Sequence, residues 1–101
     1  MAPPGNLVMG KLFKKIQAAV SHDRYIVSWH ADERCEERGI SDWQIFAGIT
    51  DAELLRERPA SKPNPSVVLR QQLADGTEVE TIWAYLADSG RAMLVTVYFP
   101  E

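Results

Sequence analysis

Three runs near the end of the chain, Ser66 to Leu73, Thr77 to Tyr85 and Ala92 to Phe99, are rich in β-branched and aromatic residues. Only Ala-Asp-Gly (74–76) separates the first two, and a turn containing Asp-Ser-Gly (88–90) separates the last two. Connections this short join antiparallel neighbours, because a parallel pair needs a crossover of roughly a dozen residues or more. The runs therefore predict a β-meander, and everything before it has to supply the layer that covers one face.

The preceding sequence reads mainly as helix. Met1 to Asn6, with Pro3, Pro4 and Gly5, is expected to be a disordered leader, and residues 7–101 a single α+β domain. From Leu7 to Val20, Leu12, Phe13, Ile16, Ala19 and Val20 recur at helical spacing, with Lys11, Lys14, Lys15 and Gln17 on the remaining surface. Tyr25, Val27 and Trp29 alternate with Arg24, Ile26 and Ser28, which fits either a short strand or an extended lead-in to the next helix. Ala31 to Arg38 predicts a helix stopped by Gly39, and Ser41 with Gln44 makes a capping-box pattern for a third helix over about 42–48. Glu53 to Arg58 fits a strand or an extra helical turn. Prolines at 59, 63 and 65 then force an extended surface connection. The expected architecture is α+β, N-terminal helices packed on one face of a three- to four-stranded antiparallel sheet, the other face partly free for a ligand.

Composition excludes several classes. Hydrophobic residues at 46% and charged residues at 25% fit a globular chain rather than a disordered one. No apolar stretch approaches the roughly 20 residues of a membrane helix, and Lys11, Lys14 and Lys15 follow the first apolar residues instead of preceding them as in a signal peptide. Cys35 is the only cysteine, so no internal disulfide forms and a reducing, cytoplasmic setting is expected. His22, His30 and Cys35 have no standard metal-ligand spacing, so neither metal nor cofactor is expected. A net charge of −3 and a pI near 5.3 give no overall attraction to nucleic acid, so any phosphate-binding role must rest on a local cluster.

One such cluster is visible. His30, Arg34 and Arg38 lie at i, i+4 and i+8, so they drift only about 80° around a helix and form one stripe. The same helix carries like-charge i, i+4 pairs, Asp32 with Glu36, Glu33 with Glu37 and Arg34 with Arg38. Each disfavours the isolated helix by about 0.2–0.5 kcal/mol. Partners outside the helix are expected in compensation, either a bound anion or the carboxylates of Glu53, Glu57 or Glu80.

The run W-H-A-D-E-R-C-E-E-R-G-I-S (29–41), followed in order by A-E-L-L-R-E-R-P (52–59), S-K-P-N-P-S (61–66), A-D-G (74–76) and V-T-V-Y-F-P (95–100), resembles the bacterial domain-of-unknown-function family DUF4258 over about three quarters of the chain. H-x3-R-x3-R-G-I-S is its most specific part. By shape and motif order the family is similar to the small RelE/barnase-like ribonucleases. That resemblance implies a metal-independent endoribonuclease of toxin or RNA-processing type, with RNA as substrate and an antitoxin-like protein as partner. Where the pattern leads one to expect a histidine in the strand after the Asp-Gly turn, this chain has Glu80.

On the ribonuclease reading His30 shuttles the proton of a ribose 2′-hydroxyl, Arg34 and Arg38 stabilise phosphate charge, and Thr96 or Tyr98 orients the substrate. Lys62 in the proline-rich loop and Glu80 are further substrate-binding candidates. The bland alternatives are a histidine bonded to backbone, arginines paired with glutamates, a solvated strand face and a solvated loop lysine. Cys35 reads as a packed core residue. The competing functional class is a non-catalytic protein- or anion-binding module, with Trp43 and Trp83 as anchors.

Overall fold

A computed structural model describes residues 10–100. The expected leader, residues 1–6, and the start of the expected first helix lie outside the described residues. The chain runs α1 (Lys11–Ser21), β1 (Tyr25–Val27), α2 (Trp29–Arg38), α3 (Asp42–Ala47), a 3₁₀ turn (Ile49–Asp51), β2 (Glu53–Arg58), β3 (Ser66–Gln72), β4 (Glu78–Leu86) and β5 (Arg91–Tyr98).

The class is α+β, but the sheet is larger than the sequence predicts and is not purely antiparallel. Five strands lie in the order β1-β5-β4-β3-β2, and β1 pairs parallel to β5. Glu53–Arg58 is the strand at the other edge, β2, antiparallel to β3. The parallel pair escapes local reading because its two strands are linked through most of the domain, so no turn motif announces it.

Local sequence explains the helix ends. Ser28 caps α2, its Oγ accepting from the Ala31 amide at 3.0 Å, and Gly39 closes the helix at φ 67°, where a side chain would be strained. The expected capping box at Ser41 does not form. No side-chain bond caps α3, and Gln44 instead uses its Oε1 to accept from the Ala74 amide at 2.9 Å. The hydrophobic half of that expectation stands, since Ile40 and Ile45 are both buried.

The core lies between the helices and one face of the sheet. Ile16, Ala19 and Val20 of α1, Ala31 and Cys35 of α2, and Ile45 of α3 meet Val67, Leu69, Val79, Trp83, Leu94 and Val97. Trp83 is fully buried, which removes it as a docking anchor. Its indole N–H and the Thr81 hydroxyl both donate to Gln71 Oε1, at 3.2 and 2.7 Å, while Gln71 Nε2 donates to the Ile45 carbonyl at 2.8 Å. One buried carboxamide thus ties β3 and β4 to α3.

Candidate functional site

The helices cover one face and leave the other open. Ladder partners point to the same side of a sheet, so the register sorts the open face into three transverse rows. The first is Arg58, Ser66, Ala84 and Met93; the second is Arg56, Val68, Ile82 and Thr96; the third is Glu53, Arg70, Glu80 and Tyr98. Neighbours within a row are about 4.8 Å apart and successive rows about 7 Å apart.

A bulge shapes this grid. The β4–β5 register shifts between Ile82 and Trp83, so that Trp83 faces Leu94 and Ile82 faces Thr96, with Val95 as the extra residue. Simple alternation would have put Met93 on the face opposite Thr96 and Tyr98. The bulge reverses that parity and leaves Met93 with them on the open side, while Leu94 and Val97 are buried in the core.

Of the residues singled out in the sequence, Thr96, Tyr98 and Glu80 come together on this face. Tyr98 is pushed above the ordinary tyrosine range, first by burial and then by the Glu80 carboxylate across the ladder; Arg58 and Arg56 oppose the shift. Lys62 lies on the proline-rich loop, where Arg58, Ser61, Lys62, Pro63, Asn64 and Ser66 wall a groove floored by Ile82, Ala84, Met93 and Val95.

The α2 stripe has other neighbours. His30 stands exposed in the first turn of the helix. Arg34 Nη1 is 3.6 Å from Glu37 Oε2 on its own helix, and the Arg38 guanidinium lies over the Phe99 ring, 4.9 Å from its centroid. The carboxylates expected to receive these arginines are engaged elsewhere. Glu53 pairs with Arg70 at 3.2 Å, Glu57 accepts from the Phe13 amide at 3.0 Å, and Glu80 faces Tyr98. The helix that carries the stripe lies beside β5. Ser28 Oγ donates to the Val95 carbonyl at 2.8 Å, and Arg38 reaches Phe99, so α2 runs along the part of β5 that β1 does not pair with. The lengths agree: ten helical residues rise about 15 Å and the four strand steps from Val95 to Phe99 span about 13 Å.

Arg56 and Arg58 were absent from the sequence-derived set. Both are exposed, and the ion pairs among the described residues, Arg34–Glu37, Arg70–Glu53 and Arg70–Glu78, leave them and Lys62 without a carboxylate partner. The signal available was R-E-R (56–58), which puts two arginines on one side once the segment is taken as a strand. Cys35 is buried, and burial followed by the nearby charges of Asp42 and Asp32 pushes its thiol up, as suits a packing residue. Among the described residues no group of three His, Cys, Asp or Glu side chains is arranged to hold a metal ion, and no helix is long and apolar enough to cross a membrane.

Residues 27–99, from the end of β1 to just past β5, match the domain of unknown function DUF4258. The chain belongs to that family. The matched region takes in α2, the open face and the proline-rich loop and leaves α1 outside it. No curated protein and no solved structure matches the chain.

Proposed function

We propose that the chain binds a single-stranded RNA across the open face of its sheet and cleaves it there as an endoribonuclease. One observation carries this reading: Arg56 and Arg58, cations without carboxylate partners among the described residues, share a face with the Glu80–Tyr98 pair, one or two rows apart. In the reaction the 2′-oxygen bonds to phosphorus while its proton passes to Glu80, the acid–base residue in the third row. The bond to the 5′-oxygen breaks, and that oxygen takes a proton from His30, two residues along the chain from Ser28, whose hydroxyl donates to the Val95 carbonyl. The products are a 2′,3′-cyclic phosphate and a 5′-hydroxyl. Arg56 and Arg58 take up charge on the phosphate, and Thr96 and Tyr98 orient the strand. The resemblance to RelE/barnase-like ribonucleases points the same way, with a toxin or RNA-processing role in the cytoplasm.

Wild-type protein and Glu80→Gln, incubated with 5′-labelled RNA and read for cyclic-phosphate ends, test the proposal. The variant should fold normally and lose about 10²–10⁴-fold in rate. RNA binding without cleavage by the wild type would leave a binding module, and neither binding nor cleavage would end the RNA reading altogether.

A second reading, a non-catalytic module that docks a protein of antitoxin type, draws on Trp43. It is 60% exposed on α3 and stands between two shallow grooves, one bounded by Tyr25 and Phe46, the other by Gln72 and Leu73. Loss of a partner on Trp43→Ala with RNA binding intact would favour it.

A further inference from the structure

We infer that the groove between the proline-rich loop and the sheet is a nucleotide subsite, with a nucleobase lying on its aliphatic floor and a phosphate held by Arg58 and Lys62. The inference deepens the RNA reading and rests on it for the class of ligand.

The groove holds about 270 Å³, enough for one flat heterocycle with its charged group at the mouth. Ile82 and Ala84 from β4 and Met93 and Val95 from β5 form the floor. Ala84 and Met93 are direct ladder partners, and Val95 is the extra residue of the bulge, so the irregularity that turns Met93 outward also helps build the floor. The wall is fixed at both ends. Ser61 N donates to the Arg58 carbonyl at 3.2 Å, and Tyr85 N donates to the Pro65 carbonyl at 2.9 Å, holding the loop against the end of the sheet. Three prolines within residues 59–65 further limit its freedom.

The lining selects the ligand. An inorganic anion would gain nothing from four aliphatic side chains, and a purely apolar molecule would gain nothing from Arg58, Lys62 and Asn64. A nucleotide uses both. The Met93 thioether is polarisable and suits contact with an aromatic ring. The Asn64 carboxamide can both donate and accept, and the Ser61 and Ser66 hydroxyls add further partners for a base edge. Arg58 lies two strands from Ala84 in the same row, about 10 Å away, roughly the reach from a base across its ribose to the phosphate. The next row begins with Arg56, so a strand leaving the groove meets the second arginine and then Glu80 and Tyr98. Phosphate contacts would set the register and the groove would supply base preference.

An amide-resolved NMR titration of the full chain tests this, with the 3′-monophosphates of adenosine, guanosine, cytidine and uridine as probes and inorganic phosphate as the comparison. At least one nucleotide should saturably perturb Asn64, Ser66, Ala84 and Met93 and bind about tenfold tighter than phosphate. Lys62→Ala should weaken all four nucleotides alike, and Asn64→Ala should change their ranking, with thermal melts unchanged because both side chains sit on a surface loop. Nucleotides binding no tighter than phosphate, or perturbing a different surface, would overturn the subsite. A single-stranded RNA oligomer titrated in parallel separates the two levels. If the oligomer perturbs the Arg56, Glu80 and Tyr98 rows while nucleotides miss the groove, the subsite is wrong and the RNA reading stands. If nucleotides fill the groove while the oligomer does not bind, the subsite stands and the RNA reading is wrong.

Discussion

Tyr98 stands directly across the β4–β5 ladder from Glu80, and burial together with that carboxylate holds its phenol above the ordinary tyrosine range. The pair joins two adjacent strands at the row farthest from the proline-rich loop.

Spectrophotometric titration should therefore show one tyrosine ionising above the ordinary value of 10.0, and Glu80→Gln should bring it back part of the way, since burial persists when the charge is gone. The sign of the linked stability follows. The folded phenol keeps its proton to higher pH than the unfolded one, so its contribution is fully present below pH 10.0 and is lost as pH rises through the raised folded value. A Tyr98→Phe variant should lack this alkaline loss. A raised titration that Glu80→Gln leaves unchanged would show that the pair does not form.

The two serines that precede helices should behave differently. Ser28 caps α2 and also donates to the Val95 carbonyl, so Ser28→Ala should cost about 0.5–2 kcal/mol. Ser41 makes no capping bond, and Ser41→Ala should fall within about 0.5 kcal/mol of wild type. Urea melts of both variants check the difference, which would vanish if the capping-box pattern at Ser41 operated in solution.

Gln71 should be the most sensitive polar residue. It is 2% exposed, and Gln71→Leu strands the Thr81 hydroxyl and the Trp83 indole N–H in the core, at about 1–3 kcal/mol for each unpartnered group. Adding Thr81→Val removes one stranded group and should recover part of the loss. Urea midpoints at constant slope give both values. Additive losses in the double variant would mean that the two side chains do not share a bond.

Much of this fold was legible because its signals are local. Asp75-Gly76 and Ser89-Gly90 mark the two turns of the β3–β5 meander, and Gly39 marks the end of α2. Other parts depended on distant partners. β1 is three residues long and is defined by pairing with β5, more than sixty residues later. β2 reads E-L-L-R-E-R, and the irregularity between Leu54 and Arg56 breaks its alternation, so the side on which Arg56 and Arg58 lie could not be derived before the strand was known. The helical stripe was a sound deduction about α2 alone. Its partners were not derivable, because Phe99 and Glu37 compete for the arginines with carboxylates whose own partners lie on other elements. Thr96 and Tyr98 share one face by simple alternation, while the bulge at Val95, which adds Met93 to it, left no composition signal.

The central claim, that RNA occupies the open face through Arg56 and Arg58, is tested most directly by the salt dependence of binding. A fluorescent single-stranded RNA titrated into wild type, Arg56→Ala and Arg58→Ala at several salt concentrations gives the slope of log affinity against log salt. The account predicts that wild-type affinity falls as salt rises and that each substitution reduces the magnitude of the slope by about 0.7, the value for one phosphate contact on a single strand. Binding that ignores salt, or no binding at low salt, would contradict it.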